Sequence, residues 1–427
     1  MQGWLRSLKD RTWWHWLLTR VVALALGGLA FAMVRGNVFF DTSYYAGWAH
    51  GTLTGARIPY RDFAWEYPPG ALPAMLVPGL YAPLFAGNPP THTFDVLYGT
   101  VWVAFMLLVD AAVLRFLLRR ARARVGSDPG MVVWVYGLPC LGALTWARYD
   151  LLPAAASLVA VVAAGVGMGR RSGSFAGVGG MLKIWPLLLA PVQRTRQAAV
   201  RAAARAGAVV VSAAIITLAL TGETGFTQVL DYQAKRGLQC ESLVALPFVW
   251  LRHLRVAGYS MPFRFGAYEV AGPWVSLLAH AISGVYLLGL ALLGLAHWRF
   301  MRDDAGGRLV ALTAMAFLCL TLVTNKVFSP QYLLWLLAVL VGACVLDPDT
   351  WRPYVPWVLM VCGLTGIEFP WFYGDVLGTA WFGLAVMTVR DVALLGIAAA
   401  VALRVVRELR TLRGTDGRLV VSLGGVR

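Results

Sequence analysis

The stretch LLTRVVALALGGLAFAMV, residues 17–34, holds one charged side chain, Arg20, in eighteen positions. An apolar run of that length is enough to cross a hydrocarbon layer about 30 Å thick as a helix. It follows a short segment carrying Arg6, Lys9 and Arg11. No small-residue cleavage site follows, and the run is too long for a signal-peptide core. It is therefore expected to be a retained first span with its N-terminus in the cytoplasm. Similar runs recur near 97–118, 130–146, 149–168, 203–221, 273–297, 308–324, 332–346, 354–369 and 380–403.

The composition agrees with that pattern. Of 427 residues, 59% are hydrophobic and 14% charged, and mean hydropathy is +0.66. A soluble domain averages about 45–50% apolar and about 25% charged. A soluble single-core enzyme, a disulfide scaffold and a disordered hub are excluded. The five cysteines (Cys140, Cys240, Cys319, Cys344, Cys362) are scattered and form no CxxC pair or zinc spacing.

A net charge of +16 would suit nucleic acid, but in a membrane protein it follows the positive-inside rule. No nucleic-acid partner is expected. Ten crossings with both termini inside place 24 Lys and Arg in cytoplasmic segments, counting Arg115, Arg205 and Arg308 at the inner span ends there, with 10 outside and 3 (Arg20, Lys183, Arg390) within spans. Only four of the 37 basic residues are Lys, a skew expected of a GC-rich bacterial genome. The predicted fold is an all-α polytopic bundle, one integral-membrane domain over 1–427, with outer loops at about 35–96 and 222–272. Two apolar stretches are not simple crossings. Residues 68–85, rich in Pro and Gly, are assigned to an interfacial segment, since crossing there would put the basic run 115–124 outside. Residues 172–192, interrupted by Lys183 and Pro186, read as a re-entrant hairpin, allowed only where protein or water lines it.

Polar groups kept in a membrane protein without evident need are functional candidates. They collect on the outer side: FFDTSYY (39–45), PYRDFAWEYPPG (59–70), WARYDLLP (146–153), AKRGLQCES (234–242) and TNKVFSPQY (324–332). Asp41 is placed to be a general base or, equally, a helix N-cap. Glu66 is pinned by the double proline after it; it is either a second catalytic carboxylate or a partner of Arg57 or Arg61. Asp62 reads as paired to Arg61. Arg148, Asp150, Lys235, Arg236 and Lys326 are the cations and counter-ions a phosphate at the headgroup level requires, snorkelling being the alternative, and Arg61 is counted with the substrate-binding candidates. Lys183 lies deep in GGMLKIWP, where a bare ammonium is costly. A wet cavity holding an anion is favoured over a carboxylate partner. Arg390 and Asp391 are assigned to structure. The six histidines show no metal spacing, with His50 and His253 as secondary participants. Tyr44, Tyr45, Trp48, Trp65 and Tyr67 could stack a sugar, though an interfacial belt is the better reading.

At these residues the chain resembles the polyprenyl-phosphate-dependent GT-C glycosyltransferases, specifically glycosyltransferase family 87. That family includes actinobacterial mannosyltransferases that extend phosphatidylinositol mannosides. The resemblance is carried by Asp41 with Tyr44, PYRDF and EYPP within 59–69, RYDLLP at 148–153, LKIWP at 182–186, RGLQCES at 236–242 and NKVFSPQY at 325–332. It implies a GT-C-like helical bundle in a bacterial plasma membrane with an extracytoplasmic active site. The implied donor is a polyprenyl phosphate sugar and the implied acceptor a membrane lipid or cell-envelope glycan. A hexose, most simply mannose, would move with inversion. Asp41 carries over as the base, with Glu66 and Glu241 as further outer carboxylates. Lys326, Arg236 and Lys183 would stabilise the leaving phosphate, and Glu241 and Gln331 would contact substrate. No cofactor is expected. No DxD-type pair stands out, and a divalent metal is left open. Two rivals differ in class: a flippase or transporter of lipid-linked sugars, which calls for a polar path and often inverted repeats, and a glycan ligase or polymerase.

Overall fold

In lipid every backbone N–H and C=O must be satisfied within the protein, so long apolar runs fold as helices. The structure, a computed structural model, describes residues 2–34, 38–85, 92–121 and 129–423, with side chains described outside 2–10, 121, 303 and 412–423. The last part of the basic run 115–124 (Arg122 and Arg124) lies outside the described residues, as do 35–37 and 86–91 of the first loop.

Among the described residues, six helices are long and apolar enough to cross a membrane, which makes this a helical membrane protein. They are α1 (Gln2–Val34), α3 (His92–Ala121), α7 (Arg196–Thr221), α9 (Val275–Phe300), α10 (Gly306–Thr324) and α13 (Trp381–Leu423). They match the expected runs at 17–34, 97–118, 203–221, 273–297, 308–324 and 380–403. The other four expected crossings are shorter helices: α4 (Pro129–Cys140), α5 (Leu151–Gly165), α11 (Leu333–Leu346) and α12 (Val355–Glu368). At 1.5 Å per residue such helices fall short of a layer about 30 Å thick. Instead, α5 and α11 form the centre of the bundle, and nearly every residue of α11 is buried.

Charges inside this bundle are tied off. Arg20 on α1 donates from Nε to Asp110 Oδ2 on α3 at 2.9 Å. Asp110 also accepts from the indoles of Trp16 (2.9 Å), Trp134 (2.8 Å) and Trp146 (3.0 Å). A carboxylate with this many donors is compensated in place, and it pins α1, α3 and α4 together.

The first loop forms helix α2 (Phe40–Leu53), then short turns at Ala71–Leu76, Val77–Gly79 and Ala82–Leu84. Residues 172–192 do take a hairpin form. Helix α6 (Gly169–Leu182) rises to an extended Lys183, and the 3-10 turn Trp185–Leu189 returns. The two legs are closed by a 2.8 Å bond from Gln193 Nε2 to Ser172 Oγ. Gly169, Gly173 and Gly177 face Ala198, Ala202 and Ala206 of α7, the small-residue face that lets helices approach closely without a hydrophobic driving force.

The regular structure of the described residues is helical apart from one small element, which leaves the all-α class in place. The second loop holds a small antiparallel sheet of β1 (Leu238–Gln239), β2 (Phe263–Arg264) and β3 (Ala267–Val270), in the order β1-β3-β2. This segment satisfies its backbone by pairing Leu238 with Val270 and Gln239 with Glu269. Its own apolar cluster, including Leu238, Phe248 and Val270, packs on Val376 and Leu384.

Candidate active site

The sheet, the start of α2, the hairpin tip and the turn before α11 converge on one cavity of about 950 Å³. Eight of the ten sequence candidates line it: Asp41, Glu66, Arg148, Lys183, Arg236, Glu241, Lys326 and Gln331.

Asp41 lies in the first turn of α2, where the helix dipole favours a carboxylate. The N-cap position is Phe39 and not Asp41, and no side chain caps the helix there. The Asp41 carboxylate pairs instead with Arg148. Arg148 is extended, ending the turn Leu144–Ala147, and its Nε is buried without a hydrogen-bond partner. The two chain segments are joined by Thr42 Oγ1 donating to Ala147 O at 2.9 Å.

Lys183 departs from the expectation of a cation free of carboxylates. Its Nζ lies 3.4 Å from Asp150 Oδ1, and Asp150 also accepts from Trp335 Nε1 at 3.1 Å. The ammonium stands 4.9 Å from the ring centres of Tyr149 and Tyr332, 5.6 Å from Trp335 and 5.8 Å from Tyr67. Four aromatic faces and one buried carboxylate pay for a cation that is still 21% exposed to the cavity. Asp150 does not line the cavity; it is a buried support for Lys183. The depth of the chain thus called for both a carboxylate partner and a wet face.

Arg61 stands apart from the site. It is 45% exposed and donates to the neighbouring Asp62 at 2.8 Å, which holds that carboxyl down at about 2. The adjacent carboxylate captures the guanidinium before it can reach the cavity. Glu66 bonds neither Arg57 nor Arg61, since Arg57 stacks on Phe63 at 4.4 Å; Glu66 lines the cavity, where with burial it keeps the Tyr232 hydroxyl above its ordinary range. No family model, no curated protein and no solved structure matches the chain.

Arg236 and Lys326 carry the distinctive electrostatics. Among the described residues neither has a carboxylate within ion-pair distance, and the Arg236 Nε is buried and unpartnered. Lys326 donates only to Ala234 O, at 3.3 Å. Burial, and then the like charge of Arg236, hold the Lys326 amine below its ordinary value. Two neighbouring cations facing one cavity form a site for an anion.

The sequence reading omitted several lining residues. Tyr149 and Tyr332 sit inside the quoted motifs, next to the charged residues that drew notice. Gln239 donates to Glu241 Oε2 at 3.1 Å and Tyr373 to the same oxygen at 3.4 Å. The available signal for Tyr373 was the polar-aromatic run EFPWFYGD at 368–375. His50 and His253 do not line the cavity; they bond Phe85 O and Thr379 O at 3.4 Å and 2.7 Å. Of the proposed sugar platform only Tyr67 reaches the cavity, while Tyr45 and Trp65 are buried.

Proposed function

We propose that this protein is a membrane glycosyltransferase of the GT-C type. It takes a hexose, mannose by the resemblance, from a polyprenyl phosphate sugar and gives it to a lipid-linked or cell-envelope glycan. The reaction is set on the extracytoplasmic face of a bacterial plasma membrane and inverts the anomeric carbon. The observation that carries this reading is the pair Arg236 and Lys326, unpaired cations in the same cavity as the carboxylates Asp41 and Glu66. Access for a lipid chain supports it too. The cavity wall continues along Ser283 and Tyr286 of α9, Thr321 of α10 and Leu187 and Leu188 of the hairpin, all at positions within apolar segments.

Asp41 takes the proton of the acceptor hydroxyl, held in orientation by Arg148. The acceptor oxygen attacks the anomeric carbon, and the bond to the phosphate oxygen breaks on the opposite face. The electron pair leaves with the lipid phosphate, whose growing charge Arg236 and Lys326 stabilise. Glu66 is the alternative base.

Two of the three in-span cations speak against a flippase: Arg20 and Arg390 are closed off in buried clusters with Asp110, Glu368 and Asp391 and do not line the cavity, which Lys183 does. Radiolabelled transfer from polyprenyl phosphate mannose, by purified protein with membrane lipid extract as acceptor, tests the proposal. Wild type should form product and Asp41→Asn should not, while remaining folded. Undiminished turnover by Asp41→Asn would remove Asp41 as the base. Failure with every sugar donor, with a lipid-linked sugar still crossing protein-containing liposomes, would establish the flippase.

A further inference from the structure

One wall of the cavity is backed by three carboxylates and a single guanidinium. Arg390 is fully buried. Its Nε donates to Asp391 Oδ1 at 2.9 Å, its Nη1 to Glu368 Oε2 at 2.5 Å and its Nη2 to the backbone oxygen of Glu241 at 3.0 Å. Every nitrogen is engaged, and none reaches the Glu241 carboxyl. Glu241 itself is 2% exposed and lines the cavity. Its Oε2 accepts from Gln239 Nε2 and the Tyr373 hydroxyl, while its Oε1 has no partner. The remaining charged or titratable groups facing it are Arg148, already paired with Asp41, and the thiol of Cys240.

A third buried negative charge without a cation of its own is costly, and a carboxyl so placed takes up a proton instead. Burial, and then the charge of Glu368, push the Glu241 carboxyl up. With two donors on Oε2, the proton belongs on Oε1, the oxygen left for a ligand.

We infer that Glu241 is a neutral hydrogen-bond donor that holds a phosphate oxygen of a lipid-linked phosphodiester through Oε1. The inference rests on the phosphate-binding reading of this cavity. Gln239 places Glu241 beside the cation pair: its backbone N–H donates to Lys326 O at 2.9 Å, and its Nε2 serves both Glu241 and Ser329. Glu241 supplies a donor without charge and Arg236 and Lys326 supply the charge. Once ionised, Glu241 loses the donor and repels the anion, so binding weakens as pH rises through its ionisation.

The probe is methyl farnesyl phosphate, a diester whose single negative charge does not change between pH 6 and pH 9. Lys326 also loses charge as pH rises, so the comparison is made in Lys326→Arg protein, whose cation is permanent. Full-length protein in detergent is titrated calorimetrically across that range. Lys326→Arg should lose about tenfold in affinity toward the alkaline end. Lys326→Arg/Glu241→Gln, with a neutral amide donor of the same shape, should bind as tightly at low pH and stay level. Glu241→Ala in the same background should bind weakly throughout. Matching pH profiles for Lys326→Arg and the Gln double variant would overturn the inference. Absence of binding at every pH, in wild type as well, would remove the phosphate reading and the inference together. The expected profile without sugar transfer would sustain the role of Glu241 and count against the transferase alone.

Discussion

Glycine holds the hairpin that carries Lys183 to the cavity, and Gly173 is where this is measurable. A Cβ at position 173 would lie 2.1 Å from Ala202 O, 2.6 Å from its Cα and 2.7 Å from its carbonyl carbon. All three are backbone atoms, so no rotamer change relieves the clash. To restore ordinary contact, α6 and α7 must part by roughly 1 Å. Overpacking of this kind costs about 1–3 kcal/mol. Gly207 on α7 provides the control, because nothing lies within 4 Å of a Cβ built there. Alanine at that position gains about 1 kcal/mol of helix propensity. The same chemical change should therefore act in opposite directions, with a gap of about 2–4 kcal/mol between the variants. Thermal unfolding in detergent, followed by tryptophan fluorescence, reads the difference. Gly173→Ala should lower the midpoint by several degrees and Gly207→Ala should hold or raise it. Gly173→Ala should also weaken donor binding below the transition, because Lys183 and the Trp185–Trp335 stack at 5.3 Å sit at the hairpin tip. Equal midpoints for the two variants would refute close helix contact at Gly173.

Removing Arg236 or Lys326 as Ala should each lower donor affinity by about 10- to 100-fold, as expected for one charge-assisted contact. Wild-type donor affinity should fall at high pH as the depressed Lys326 amine loses its proton, the cation being the form that binds; Lys326→Arg should move that component of the loss out of range, as titration calorimetry would show. Arg390→Met should cost about 3–5 kcal/mol by leaving Glu368 and Asp391 without a cation; the yield of folded protein and its unfolding midpoint check this. Arg61→Ala should leave transfer unchanged, because Arg61 engages Asp62 in solvent; a loss of turnover above tenfold would return it to the site.

The sequence drew Asp41, Glu66, Arg148, Arg236, Glu241 and Lys326 from separate polar clusters as candidates, and the structure brings all six to one cavity. Arg61 was counted with the substrate-binding residues although the sequence already paired it with Asp62, and the structure keeps it in that pair, outside the cavity. Tyr373 and Glu368 were missed because Glu368 lies inside the late apolar run 354–369 and Tyr373 just beyond it. Their relevance appears only when the end of α12 is brought against the second loop.

Helix formation in this chain was determined by sequence alone, because an apolar run in lipid can satisfy its backbone only within itself. That requirement is local and needs no knowledge of neighbours. The hairpin over 172–192 was legible for a related reason: Lys183 and Pro186 interrupt a run that otherwise crosses. Pairing was decided by tertiary structure. Arg148 binding Asp41, Lys183 resting on Asp150 inside four aromatic rings, and Arg390 serving every neighbour except the Glu241 carboxyl all depend on contacts between distant segments. The charge a buried side chain carries follows from such contacts, since burial sets the penalty and only a positioned partner removes it.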